Sequence, residues 1–224
     1  MPAPGPLAWR PVGRLIVIEG LDGAGKRTLA DQLTAALVER GATVGTRAFP
    51  RYGASVTADL VRDGLYGRLG GLGESVYGMA VLYALDRQGA RDDLRAALDA
   101  HDVVLLDRYV ASNAAYGAAR LGEAADGPFV RWVESIELDR FDLPRPHAHL
   151  LLRVTPQLAA ERSAGRAASD ATRARDTWES DADLQTRVGH VYDQLAAAHW
   201  LSPWRVLDGA AGTDTPALAA DLLA

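Results

Sequence analysis

The feature that most constrains this chain is a short glycine-rich run, Gly20-Leu21-Asp22-Gly23-Ala24-Gly25-Lys26-Arg27-Thr28. It follows directly on the apolar run Arg14–Glu19 and opens a stretch with helical periodicity. A glycine, four residues, then Gly-Lys is the phosphate-loop pattern, which also sets a strand before it and a helix after it. The glycines allow positive φ and close backbone approach, so successive N–H groups can converge on phosphate oxygens. A helix beginning near Lys26 adds the partial positive charge of its N-terminus. Lys26 is also the single lysine; every other residue in the Lys+Arg total of 24 is arginine. A compact charge on a flexible stem is not replaced by a planar fork where a mobile point charge is needed. Arg27 departs from the pattern, because it stands where a hydroxyl normally ligates Mg²⁺. That leaves Thr28, or carboxylates and substrate oxygens, to hold the metal, with Asp22 the nearest carboxylate.

The rest of the chain continues in the same rhythm. Strands are expected at Arg14–Glu19, Thr43–Phe49, Val103–Asp107, His149–Val154 and Trp204–Asp208. Most are continuous apolar runs, the mark of strands buried on both faces of a parallel sheet. Helices are expected at Lys26–Arg40, Ala54–Leu65, Glu74–Ala100 with a break near Gly89, Ser112–Leu121, Pro128–Phe141, Pro156–Ser163, Trp178–His199 and Pro216–Leu223. Thr155 before Pro156 reads as a side-chain cap followed by proline at the first helical position. The alternation implies a doubly wound α/β sheet. Residues 1–12, with four prolines, read as a loose tail before one domain, 13–224. The polar, arginine-rich segment Gly165–Asp176 interrupts the alternation; a loop of that length and polarity is expected to be a functional lid, about 163–177.

Composition narrows the function. Net charge is −5, which argues against a duplex nucleic-acid partner. The absence of cysteine excludes disulfides, thiolate–metal sites and cysteine nucleophiles. The apolar runs are strand-sized, so no membrane span is expected, and Met1–Pro11 lacks the features of a secretory signal; the expected location is the cytoplasm. His147 and His149 flank a strand start without metal-ligand spacing and read as structural.

The phosphate loop identifies a nucleotide binder rather than a reaction. The third expected strand ends in Asp107-Arg108-Tyr109, and in an open α/β sheet ligands sit beyond the carboxyl ends of the strands. There Arg108 can fork onto a phosphate, with Asp107 orienting it or joining a metal shell. A second nucleotide-phosphorylating enzyme class or a nucleotide-dependent switch would also use the loop. The guanine-reading Asn-Lys-x-Asp motif of switches is impossible with Lys26 as the only lysine.

With these residues in view, the chain resembles bacterial thymidylate kinase from about Arg14 to the C-terminus. The resemblance lies in Glu19–Lys26, Phe49-Pro50-Arg51-Tyr52, Tyr83-Ala84-Leu85-Asp86-Arg87, Asp107-Arg108-Tyr109 with Ser112, Asn113 and Tyr116, and the arginine-rich Arg162–Asp176. Arg27 and that last segment most resemble actinobacterial members. The resemblance implies the nucleoside monophosphate kinase type of the phosphate-loop NTPase fold, a five-stranded parallel sheet with an arginine-rich lid. It implies transfer of the ATP γ-phosphate to dTMP, Mg²⁺ as cofactor, and a homodimer.

It also implies roles. Gly20, Asp22, Gly23, Ala24, Gly25, Lys26, Arg27, Thr28 and Arg162 would hold ATP. Phe49, Pro50, Arg51 and Tyr52 would line the acceptor phosphate, Arg51 beside Arg108. Tyr83 and Arg87, four apart on one helix face, would stack on the base and donate to a base carbonyl; the family more often has Phe at the Tyr83 position. Asn113 would contact the base edge and Tyr116 would crowd the sugar 2′ position. Ser112, Asp176 and Tyr192 complete the acceptor set. Lys26, Arg108, Asp22 and the lid residues Arg166 and Arg173 would serve the transfer itself, and Asp22, Glu179 and Asp107 are candidate metal-shell carboxylates.

Overall fold

The computed structural model describes residues 13–169, 178 and 181–224, and only the backbone of residues 166–169. The expected tail 1–12 therefore lies outside the described residues. Five strands form one parallel sheet: β1 (Arg14–Glu19), β2 (Val44–Ala48), β3 (Val103–Asp107), β4 (Ala148–Arg153) and β5 (Trp204–Asp208), in the order β2-β3-β1-β4-β5. Side chains alternate across the strands into two cores. Leu15, Val17, Val104, Leu106 and Leu151 enter one; Ile16, Ile18, Val103, Leu105, Leu150 and Leu152 enter the other. Both faces are covered, so the strands carry apolar residues in both parities.

The helices divide between those faces. Helix α1 (Lys26–Glu39) buries Leu29, Leu33, Ala36 and Leu37 on one stripe and joins α10 (Thr215–Leu223) over the second core. The first core is covered by α4 (Val76–Gly89), α5 (Arg91–Ala100), α6 (Val110–Leu121), α7 (Pro128–Glu134) and α9 (Ala182–Ala197). Helices α2 (Val56–Leu65) and α3 (Gly71–Glu74) pack at the edge of α4. Neighbouring strands β1 and β3 thus send their chains to opposite faces, which opens a crevice at their carboxyl ends, where ligands bind in such sheets.

Several boundaries differ from expectation for identifiable reasons. Helix α6 starts at Val110, two residues before Ser112, because the Glu19 carboxylate at the end of β1 accepts from the N–H groups of Tyr109 (2.9 Å) and Ser112 (3.2 Å). This distant carboxylate serves the helix start as a local cap would. Helix α8 (Pro156–Ser169) runs past Ser163 into the expected lid loop. Its Ala-rich continuation is good helix former, and polarity alone does not end a helix. Thr155 Oγ1 does accept from Leu158 N (3.2 Å). Helix α9 starts at Ala182 because the Asp181 side chain accepts from Leu184 N at 2.9 Å. The expected single helix Pro128–Phe141 is α-helical only to Glu134; Ser135–Arg140 is π-helical and carries the fully buried Glu137. Such widened turns concentrate at functional places.

His147 and His149 are structural, as expected. His147 Nδ1 accepts from Leu15 N (2.9 Å), and His149 stacks on Trp204 with ring centroids 4.3 Å apart. Burial pushes the His149 imidazole down to about 3. A histidine kept neutral in the fold contributes stability that is complete above pH 6.5 and lost as the pH falls below it, because only the unfolded chain then takes up the proton. The expected loss is up to about 1.4 kcal/mol per pH unit between 6.5 and 3. Denaturant midpoints across that range should fall more steeply for wild type than for His149→Phe; parallel curves would refute this.

Candidate active site

The phosphate loop leaves β1 through left-handed backbone. Gly23 has φ 91, and a Cβ there would lie 2.0 Å from the Ala159 carbonyl oxygen of α8; Gly25 caps α1 at φ 101. No other residue meets both demands without strain. Lys26, 8% exposed, donates from Nζ to the carbonyls of Gly20 (3.1 Å) and Leu21 (2.9 Å). Burial, then the Arg108 charge, pushes its ammonium down to about 8 against the opposing pull of Asp22, Asp107 and Glu19.

The chain after β3 turns into α6 at Arg108, a non-glycine residue at φ 67, and backbone held in that region is typical of functional sites. Arg108 Nη2 meets Asp22 Oδ1 at 2.5 Å, and Nη1 donates to Ser112 Oγ at 3.0 Å. Tyr116 Oη donates to the other Asp22 oxygen at 2.8 Å, and the Arg108 guanidinium lies 5.4 Å from the Tyr116 ring centre. Burial raises the Asp22 carboxyl, but Arg108, Lys26 and the Tyr116 hydroxyl together hold it well below the ordinary carboxylate range. Burial and the Asp22 charge push the Tyr116 phenol upward, so it remains a donor.

One cavity of about 720 Å³ joins these groups. Its lining runs from Asp22, Gly23 and Gly25–Thr28 through Phe49, Pro50 and Tyr52 to Tyr83, Arg87, Ser112, Asn113 and Tyr116. Most of the expected site is therefore assembled around a single space. Gly20 and Ala24 of the loop are not among the lining residues, and three further expected residues are placed differently. Arg51 does not line the cavity: its Nε and Nη2 are held by Asp86 Oδ1 (2.9 Å) and the Asp86 carbonyl (2.7 Å), so it fastens the Phe49–Tyr52 segment to α4 rather than standing beside Arg108. Tyr192 is buried behind the wall and donates to Glu19 Oε2 at 2.9 Å, supporting Ser112 (2.9 Å) from the far side. Arg162 reaches the carbonyls of Ala24 (3.4 Å) and Gly209 (3.0 Å), strapping α8 to the phosphate loop. The Arg166 side chain, Arg173, Asp176 and Glu179 lie outside the described residues.

The structure also adds residues. Trp178 lines the cavity, stacked against Tyr116 (5.9 Å, 22°) and tilted toward Tyr83 (6.1 Å). Arg120 lies 4.6 Å from its ring centre. Glu137 receives Arg87 through Nε–Oε2 (2.5 Å) and Nη2–Oε1 (2.7 Å), and Asn113 Nδ2 through Oε1 (2.8 Å). Against the lowering effect of burial, Glu137 raises the Arg87 pKa, so the guanidinium is fully charged. Glu19 and Glu137 had one visible signal each in the sequence: an acid ending an apolar strand and an acid inside an apolar helix stripe.

For a divalent cation, the donors present are oxygens, as Mg²⁺ requires. Asp107 Oδ1 is buried with no hydrogen-bond partner, and Asp107 and Thr28 both line the cavity. Both Asp22 oxygens are engaged by Arg108 and Tyr116. Among the described residues no group of three or more His, Asp or Glu side chains is gathered for a metal.

A family model described as thymidylate kinase matches residues 18–202. The thymidylate kinase of Mycobacterium tuberculosis is 53% identical over 208 residues, covering 93% of this chain and 96% of that protein. That of Xanthomonas oryzae pv. oryzae is 38% identical over 197 residues, covering 84% and 79%. A probable thymidylate kinase of Archaeoglobus fulgidus is 32% identical over 152 residues, covering 66% and 68%.

Proposed function

The chain belongs to the thymidylate kinase family, and from that premise we propose how its residues divide the transfer of the ATP γ-phosphate to dTMP. The observation that carries this reading is the continuity of the cavity: one space of about 720 Å³ is lined both by the phosphate loop and by Tyr83, Arg87, Asn113 and Tyr116. A donor and an acceptor can therefore meet end to end, with Arg108 between them.

The acceptor phosphate of dTMP is already an anion. Its oxygen attacks the γ-phosphorus while the bond to the β–γ bridging oxygen breaks and ADP leaves. No strong general base is needed, so alignment and charge neutralisation carry the catalysis. The loop N–H groups and Lys26 receive the donor phosphates; to do so Lys26 Nζ exchanges the carbonyls of Gly20 and Leu21 for phosphate oxygens. Arg108 forks onto the acceptor phosphate, pre-oriented by Asp22 and Ser112. Tyr83, Tyr116 and Trp178 supply aromatic faces for the pyrimidine and its sugar. Asp107, with Thr28 in reserve, would hold Mg²⁺, which neutralises donor phosphate charge when bound. Arg166 and Arg173 would complete the charge balance of the transfer.

Val56, Leu72, Tyr77 and Val81 are exposed apolar residues on α2, α3 and α4, and we assign that face to a homodimer contact. No helix among the described residues is long and apolar enough to cross a membrane; a cytoplasmic setting fits an enzyme of free nucleotides. The testing experiment is a coupled ADP-release assay with Mg-ATP and dTMP, dUMP, dCMP, dGMP or UMP. Turnover should be highest with dTMP. Equal rates with all five, or turnover independent of any acceptor, would reject the base-pocket assignment.

A further inference from the structure

Glu137 is fully buried on the π-helical turn and does not line the cavity, yet it bonds two residues that do. Its Oε2 takes Arg87 Nε (2.5 Å), and its Oε1 takes both Arg87 Nη2 (2.7 Å) and Asn113 Nδ2 (2.8 Å). The second hydrogen of Asn113 Nδ2 goes to the Ala80 carbonyl of α4 at 3.1 Å. An ionised carboxylate can only accept, and a backbone carbonyl can only accept. Both hydrogens of the Asn113 amide are therefore spent inside the protein, and Asn113 can offer the cavity nothing but its oxygen.

We propose that Glu137 is a specificity-positioning residue: by fixing the Asn113 amide as an acceptor and Arg87 as a donor, it makes the pocket select pyrimidines with a protonated N3 and a 4-oxo group over 4-amino pyrimidines. This rests on the base-pocket reading above. Thymine and uracil present N3–H and O4, matching an acceptor beside a donor. Cytosine presents a bare N3 and an N4 amino group, which meet lone pair against lone pair and hydrogen against hydrogen. A site whose buried polar groups are left unpaired by the wrong ligand discriminates strongly. The carboxylate matters for a reason beyond charge. A glutamine at 137 can donate as well as accept, so it satisfies either orientation of the Asn113 amide, with only the Ala80 carbonyl still favouring the native one. Arg87 would continue to reject the amino group, so selection weakens without reversing.

The test measures kcat and KM for dTMP, dUMP and dCMP at saturating Mg-ATP in wild type, Glu137→Gln, Asn113→Ala and the double variant. In Glu137→Gln the kcat/KM ratio of dTMP to dCMP should fall at least about 10-fold, while the ratio of dTMP to dUMP, which differ only in a methyl group, stays constant. A general structural defect would lower all three acceptors together. Asn113→Ala should weaken the dTMP:dCMP ratio similarly, and the double variant should show no further fall, since both changes act through one amide. If Glu137→Gln does not fold, Glu137→Asp replaces it: the shorter side chain keeps the charge near Arg87 but withdraws from Asn113, and the same fall is expected. A dTMP:dCMP ratio unchanged in the folded Glu137 variant, or additive losses in the double variant, would overturn the proposal. A wild type with no preference between dTMP and dCMP would instead overturn the base-pocket reading beneath it.

Discussion

Lys26→Ala should leave a folded protein whose kcat for dTMP phosphorylation is reduced at least about 100-fold, the scale of losing one pre-placed charged donor at a transferring group. The side chain donates hydrogen bonds to the Gly20 and Leu21 carbonyls of its own loop, while Leu29, Leu33, Ala36 and Leu37 carry the apolar packing of α1. Thermal unfolding should therefore shift little. Lys26→Arg should fail almost as badly. The loop admits a slender stem at 8% exposure, and a planar fork cannot place one charge where the lysine does. A Lys26→Ala variant with kcat within threefold of wild type would remove this residue from the transfer.

Arg108→Ala should act on the acceptor side. Its guanidinium is held by Asp22 at 2.5 Å and Ser112 at 3.0 Å, which leaves little reorganisation when a phosphate dianion arrives. Loss of a charge-assisted hydrogen bond costs about 1.5–3 kcal/mol. That corresponds to a fall of about 10- to 150-fold in kcat/KM for dTMP. The KM for ATP should change much less, and Arg108→Lys should recover part of the loss, because charge returns without the fork. Equal damage to the KM of both substrates would show that Arg108 shapes the whole cavity rather than gripping the acceptor.

Much of this site was legible along the chain because its parts are local. A phosphate loop needs glycine, lysine, a strand and a helix in immediate succession, and Gly20–Thr28 has them. Asp107-Arg108-Tyr109 was readable for the same reason, as a polar break at the end of the run Val103–Leu106. Arg51 shows where local reading stops. The residue sits in the expected segment, but its partner, Asp86, belongs to α4, 35 positions away, and that pairing ties the guanidinium to the helix. Tyr192 was likewise placed with the right group on the wrong side of the wall, since only the packing of α9 against Glu19 and Ser112 decides which face it presents.

Composition and pattern alone determined a parallel α/β sheet, a phosphate-binding turn at its first strand and a family resemblance, because strand burial, helix periodicity and glycine geometry are properties of neighbouring residues. The tertiary structure decided the roles of Glu19, Glu137, Trp178 and Arg51. Each of these depends on a partner brought from a distant element, such as Glu137 with Arg87 at a separation of 50 positions. A buried carboxylate takes its meaning from whichever donors surround it, and no spacing within one helix or strand reveals them.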